Sequence, residues 1–275
     1  MSPGNRRVYL VDASIYIFRA WFSVPGSLTN SAREPINAVH GFAGFLAGFL
    51  AEAKPMHAAV VFDESLTTSF RNDLYQDYKA NREPAPHELK RQFRMCRHLV
   101  EALGLAGYSS ERYEADDLIG TLASGLRPRG FDIEILSADK DLAQLVGEHD
   151  VLWDYARNRR HGRDDIPALL GVQAGQVADW LALTGDAVDN IPGIPGIGAK
   201  TAAALLAVEL EQREEDGVVE RGAALGLELL HGRQQQPQRN DRIDEKQRDL
   251  QDRRDGAEKT DRYYILQGVT RQRQQ

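Results

Sequence analysis

Carboxylates in this chain fall where several could act together. Asp12 follows the apolar run Val8 to Val11, Asp63 follows Ala58 to Phe62, and Asp139 comes shortly after Ile133 to Leu136, with Asp141 two residues later. Two further groups have helical spacing. In Glu114-Ala115-Asp116-Asp117 the first and last residues share a face, as do Asp186 and Asp189 in Gly185-Asp186-Ala187-Val188-Asp189. Nine like charges in one cleft repel, so several stay protonated unless cations neutralise them. No histidine or cysteine accompanies the set, and all-oxygen donors select hard cations such as Mg²⁺ or Mn²⁺. A lone Asp after a strand is ordinarily a cap, and an acidic helix start ordinarily complements the dipole. Three strand-end aspartates with two helical clusters point instead to a shared metal site.

A purely acidic site would repel a phosphate backbone, so cations must approach from elsewhere. Lys79 and Arg82 are three apart and share a face if 74–82 is helical; on charge alone they read as a solvated surface. Tyr78 could stack on an unpaired base, a contact worth about 1–3 kcal/mol in single-strand binders. The run Gly193-Ile194-Pro195-Gly196-Ile197-Gly198 precedes Ala199-Lys200-Thr201. Its glycines would let backbone approach a phosphate, and the helix start would offer free N–H groups; by itself such a run is ordinarily a turn. Arg157-Asn158-Arg159-Arg160 reads as a solvated turn.

The elements that must position these groups follow from apolar patterning. Residues 8–11, 58–62 and 133–136 are short apolar runs of the kind buried in a parallel sheet. Helical periodicity marks 36–53, 88–103, 116–126 and 173–184, with a small helix from Ala199. Alternating strands and helices predict an α/β fold with a mainly parallel sheet flanked by helices. The carboxyl ends of such strands form the ligand-binding edge, where the three aspartates would converge. Residues 64–87 lack apolar periodicity and read as a mobile or ligand-ordered excursion. Residues 209–275 are charged, Gln-rich and poor in aliphatics, and are expected to be poorly ordered.

The chain has 275 residues, 42% of them hydrophobic, enough for a sizeable core. Its single cysteine, Cys96, excludes an internal disulfide and fits a reducing compartment. Arg6 and Arg7 precede an apolar run that Asp12 interrupts, which argues against a signal peptide, and the stretch from Gly41 to Ala53 is too short to span a bilayer. A cytoplasmic monomer without membrane contact is expected. The net charge of −7 argues at face value against nucleic acid. Setting the nine clustered carboxylates aside leaves slightly more bases than acids, so net charge does not decide.

The ordered set of motifs resembles the 5′ nuclease and flap endonuclease superfamily, and in particular the N-terminal 5′ nuclease domain of bacterial DNA polymerase I and its stand-alone relatives. The residues concerned are Val11-Asp12-Ala13-Ser14 with Phe18-Arg19-Ala20; Phe62-Asp63; Phe70-Arg71; Tyr78-Lys79-Ala80-Asn81-Arg82; Glu114 to Ala123; Ser137-Ala138-Asp139-Lys140-Asp141; and Gly185 to Gly198. The resemblance implies a PIN-like core over residues 1–170 with a helical arch at about 64–100, then a helix–three-turn–helix DNA-binding region over 171–208. It implies two divalent ions, with Asp12, Asp63, Glu114, Asp116, Asp117 and Asp139 mainly around one and Asp141, Asp186 and Asp189 towards the other. Lys79 and Arg82 would contact the scissile phosphate. Arg19, Arg71, Tyr78, Gly193, Gly196, Gly198, Lys200 and Thr201 would touch DNA, with K⁺ at the hairpin 191–198. The expected activity is hydrolysis of DNA at a free 5′ end, flap or nick, and coupling to synthesis would use a separate DNA polymerase.

The likeness runs to about residue 208. Beyond it lies either a divergent tail or the product of a reading-frame error. Three rival readings remain. A PIN-type ribonuclease would use similar acids but needs neither arch nor glycine hairpin. A haloacid-type phosphatase would place a second aspartate at position 14, where Ser14 stands. A non-catalytic DNA-junction-binding protein would have lost some carboxylates, and here every matching position is filled.

Overall fold

The computed structural model describes residues 6–63 and 69–215, with side chains described to residue 208. Six strands, β1 (Arg7–Asp12), β2 (Ala58–Asp63), β3 (Ala106–Ser110), β4 (Asp132–Leu136), β5 (Val151–Asp154) and β6 (Arg159–Gly162), form one sheet in the order β3-β2-β1-β4-β5-β6. Every neighbouring pair is parallel except β5 with β6. Strand order reverses between β1 and β4, where open α/β sheets leave a crevice at their carboxyl edge. The register sets Asp12 beside Val61, two residues short of Asp63, and Val11 beside Leu136.

Alternation along the strands sorts side chains to two faces. Tyr9, Val11, Val60, Phe62, Leu136 and Trp153 pack in one buried cluster with Ile17, Phe42, Leu46, Phe49, Cys96 and Val100. Those partners come from α1 (Ala13–Ser23), α2 (Asn37–Ala53) and α4 (His87–Ala102); the short α3 (Phe70–Leu74) precedes α4. Helix α5 (Ala115–Leu126) packs on β1 to β4 and buries Ile119, Leu122 and Leu126. Gln92, fully buried on α4, accepts the N–H groups of Ala38 and Val39 and donates to Asn37 Oδ1. It thereby caps the start of α2, which has no acidic or hydroxyl cap of its own.

A second, smaller array follows: α6 (Ile166–Leu170), α7 (Val177–Thr184), the tiny hairpin of β7 (Gly185–Asp186) and β8 (Ile191–Pro192), and α8 (Ala199–Glu215). Trp180 Nε1 donates to Ala199 O at 3.1 Å, and Ala202 and Leu206 are buried among the described side chains of α8. Among the described residues no helix is long and apolar enough to cross a membrane.

The three expected strands are present, and three more were not legible. Strand β3 is Ala-Gly-Tyr-Ser-Ser, and β5 and β6 are four residues each. The solvated turn expected at 157–160 is present as an exposed hairpin turn, and its arginines also make contacts that the sequence did not show. Asn158 makes the left-handed turn of a hairpin, Arg160 lies over the Trp153 ring at 3.7 Å and donates to the buried Glu134, and Arg157 pairs with Asp154. The described residues do not test the arch implied for about 64–100. Residues 64–68 lie outside them, α4 packs on the core, and 76–81 are turns rather than the helix considered for 74–82. The expectations for 209–275 fall outside the described residues beyond Glu215.

Candidate active site

Asp12 closes β1 and is 6% exposed; Ser137 Oγ donates to its Oδ2 at 2.8 Å and accepts from the Asp139 N–H. Asp63 closes β2. Its N–H donates to Ser14 Oγ, and its Oδ1 accepts from Ala115 N at 2.7 Å, so it caps α5 from a neighbouring strand. Burial first, then the charges of Asp63 and Asp139, raise the Asp12 carboxyl from 3.8 to about 7. Asp116 is pushed well above the ordinary range by burial and by Asp12, Asp139, Asp63 and Glu114. Burial and the charges of Asp139, Asp186 and Asp189 raise Asp141 to about 6.

These influences sort the expected set into two overlapping groups. Asp12, Asp63, Asp139 and Glu114 act on Asp116, whereas Asp139, Asp186 and Asp189 act on Asp141, so Asp139 is common to both. Asp117 stands apart. Its Oδ2 accepts from Arg71 Nη1 at 2.6 Å and from Glu114 N at 3.0 Å, and its Oδ1 accepts from Arg71 Nη2 at 2.9 Å.

Cations meet this edge from residues 77–82. Lys79 Nζ donates to Glu114 Oε2 at 2.6 Å and lies 3.8 Å from Asp189, and Arg82 pairs with Asp189 Oδ1. The Tyr78 hydroxyl lies within hydrogen-bond distance of Glu114 Oε2 and Asp189 Oδ2, 3.1 and 3.0 Å away. Backbone ties fix the segment: Lys79 N–H to Asp189 O, Asn81 to Ala187 O, Arg82 Nε to Val188 O, and Asn190 to Asp77 O. Lys79 and Asn190 both have left-handed backbones, with φ of 56° and 58°. Burial works to raise Glu114, but the Lys79 hydrogen bond and charge outweigh it and hold that carboxyl below the ordinary range.

Two expected DNA contacts are thereby committed elsewhere. Tyr78 is 5% exposed, its ring enclosed and its hydroxyl turned to the acids, so it offers no stacking face. Arg71 is forked on Asp117 and lies 4.9 Å from the Phe70 ring centroid. Arg19, Gly196, Gly198, Lys200 and Thr201 are exposed, the last four in the turn and first residues of α8. Gly193 packs backbone to backbone on Thr184 and Gly185, and a Cβ on either glycine would overlap the other strand of the hairpin. Sequence reading did not single out Ser137, Asn81 or Asn190 as working residues, though each lies inside a motif already quoted.

Among the described residues no three acidic, histidine or cysteine side chains are gathered tightly enough to hold an ion as they stand. The donor chemistry nonetheless suits a divalent cation. The acids offer only oxygen donors, and Glu114 Oε1 is buried without a hydrogen-bond partner.

Residues 7–175 match the family model described as the 5′–3′ exonuclease N-terminal resolvase-like domain, and residues 172–215 match the 5′–3′ exonuclease C-terminal SAM fold. The second match carries the likeness past residue 208, where the sequence reading ended it. DNA polymerase I of Rhizobium leguminosarum is 41% identical over 232 residues, covering 82% of this chain and 22% of that protein. The 5′–3′ exonuclease of Aquifex aeolicus is 36% identical over 201 residues, 73% of this chain and 69% of its own length. The chain thus spans about a fifth of its polymerase relative. Phage T5 5′-exonuclease with bound zinc superposes with a TM-score of 0.60 at 19% identity, covering 78% of this chain and 81% of that one. For flap endonuclease-1 from Methanococcus jannaschii the values are 0.51, 14%, 78% and 75%. The two structures support the fold, and the family matches settle kinship: the chain belongs to the 5′–3′ exonuclease family.

Proposed function

We propose that this chain is a Mg²⁺-dependent 5′ nuclease that hydrolyses phosphodiester bonds of DNA with a free 5′ end, flap or nick. The observation carrying this reading is the convergence of Asp12, Asp63, Asp116, Asp139 and Glu114 at the switch point with Lys79 and Arg82 facing them. Two divalent ions held between these acids and Asp141, Asp186 and Asp189 would supply a hydroxide near neutral pH and a counter-charge at the leaving oxygen. Lys79 and Arg82 would neutralise the phosphate as charge builds on it. Ser137 holds Asp12 in place, and Asp63 holds the start of α5, so the acids are aimed before substrate arrives. The exposed turn at Gly196 and Gly198 with Lys200 offers backbone N–H groups and a charge to a duplex phosphate, giving grip without sequence reading. Relatives named DNA polymerase I make coupling to DNA synthesis part of this proposal.

The test is incubation with a 5′-labelled flap duplex and the matching RNA, in Mg²⁺ and in EDTA. The reading expects Mg²⁺-dependent release of the DNA flap, abolished in Asp139→Ala and Asp186→Ala while DNA binding persists. Cleavage of RNA alone would turn it into a ribonuclease, and cleavage undiminished in EDTA would overturn it.

A further inference from the structure

We propose that Asp117 is a positioning residue and not a metal ligand. It clamps Arg71, and the pair anchors the Lys79 segment over the acidic edge. Resemblance groups Asp117 with the ligands beside Asp116, but the structure gives the two different partners. Adjacent helical residues point about 100° apart, and here they serve different partners. Asp116 lies among Asp12, Asp63, Asp139 and Glu114. Asp117 has both oxygens engaged, in a fork from Arg71 at 2.6 and 2.9 Å and in the capping bond from Glu114 N. A bidentate guanidinium–carboxylate pair is the strong form of this contact. Taking Asp117 for an ion would strip Arg71 of its partner in a half-buried setting, where side-chain exposure is 29% for Arg71 and 23% for Asp117.

What the clamp holds follows along the chain. Arg71 is the second residue of α3, and its carbonyl accepts from Tyr75 N; Asn72 Nδ2 donates to Tyr78 O; the Arg71 guanidinium lies 6.0 Å from the Tyr78 ring. Tyr78 and Lys79 then reach Glu114, three residues before Asp117 on α5. Two points at one helix start, Asp117 and Glu114, therefore fix where Lys79 stands. The inference rests on the two-ion nuclease reading for what Lys79 does once it is there.

The experiment uses wild type, Arg71→Ala, Asp117→Asn, their double variant, Arg71→Lys and Asp116→Asn. Asparagine keeps one acceptor oxygen for Glu114 N but cannot take the charged, two-oxygen fork of a guanidinium. Three readouts are taken: Mn²⁺ binding by titration, amide exchange of residues 77–82, and kcat with KM on the flap duplex. Asp117→Asn should bind Mn²⁺ within about 3-fold of wild type, whereas Asp116→Asn should lose at least about 10-fold. Exchange at 77–82 should rise about 10-fold in Arg71→Ala, Asp117→Asn and the double variant alike, because one clamp is removed each time. The fall in kcat should be equally non-additive, with KM little changed. Arg71→Lys, which keeps the charge and loses the fork, should behave as Arg71→Ala and answers the question if Asp117→Asn fails to fold. Loss of an ion in Asp117→Asn, or unchanged exchange in the variants, overturns the proposal. Failure of wild type to bind Mn²⁺ would sink the nuclease reading instead, and the exchange data would still decide the clamp.

Discussion

Lys79 places its charge from a left-handed backbone, a conformation that costs a non-glycine residue on the order of 1 kcal/mol and that the Asp189 carbonyl holds in place. Its ammonium neutralises Glu114 through Oε2, while the buried Oε1 of the same carboxylate has no hydrogen-bond partner. Replacing Lys79 by Ala should therefore lower kcat about 100- to 1,000-fold while divalent affinity holds or rises, because a buried carboxylate is freed. Single-turnover cleavage and Mn²⁺ titration on one preparation check this. A fall in affinity would show that Lys79 builds the site rather than serving it.

The acids themselves make stability depend on pH. A carboxyl whose folded-state pKa lies above its unfolded value contributes stability fully below that unfolded value and loses it as pH rises through the folded one. For Asp12 the window runs from 3.8 to about 7, and Asp141 adds to it up to about 6. In EDTA the melting temperature should drop between about pH 4 and pH 7 through these groups, and added Mg²⁺ should restore it at the upper end. A melting temperature indifferent to Mg²⁺ at the higher pH would count against the cluster. Sequence made these acids visible because most end an apolar run or open a helix. It could not show that Asp116 and Asp117 serve different partners, since both are aspartates at the same helix start and only the arrival of Arg71 tells them apart.

At the scale of elements, the hairpin between α7 and α8 depends on a close backbone approach. Gly185 has φ of 72°, and the space where its Cβ would sit is filled by Ile191 and Gly193 backbone. Gly193→Ala would force the Thr184 carbonyl aside at a cost of about 1–3 kcal/mol. Flap binding should weaken several-fold while Mn²⁺ binding at the acids changes little; binding isotherms for both ligands separate the two. The glycines were legible as a turn, but Gly185 as the partner of Gly193 was not, because the contact joins residues across the hairpin. Strands β1, β2 and β4 were legible as apolar runs between helices. Strands β3, β5 and β6 were not, since β3 carries serines and β6 is held by Arg160 on Trp153 and Glu134 rather than by aliphatic packing. The 74–82 segment was open to a helical reading by spacing; its conformation comes instead from hydrogen bonds to residues more than a hundred positions away.

For the whole molecule, a net charge of −7 would seem to exclude a polyanion as substrate. The acids that weigh most in that balance sit together at one sheet edge, and exposed bases such as Arg19 and Lys200 lie elsewhere. DNA binding should weaken steeply with salt, and Lys200→Ala should lower the slope of log K against log salt by about one, equally for unrelated sequences. Fluorescence anisotropy across a salt series measures it, and a sequence-selective loss would contradict backbone gripping. The central claim is that divalent cations bridge these acids, and anomalous scattering from Mn²⁺-soaked crystals tests it most directly. Two peaks are predicted, one among Asp12, Asp63, Asp116 and Asp139 and one towards Asp141, Asp186 and Asp189. Absence of peaks there at saturating Mn²⁺, or peaks only on unrelated surfaces, would contradict it.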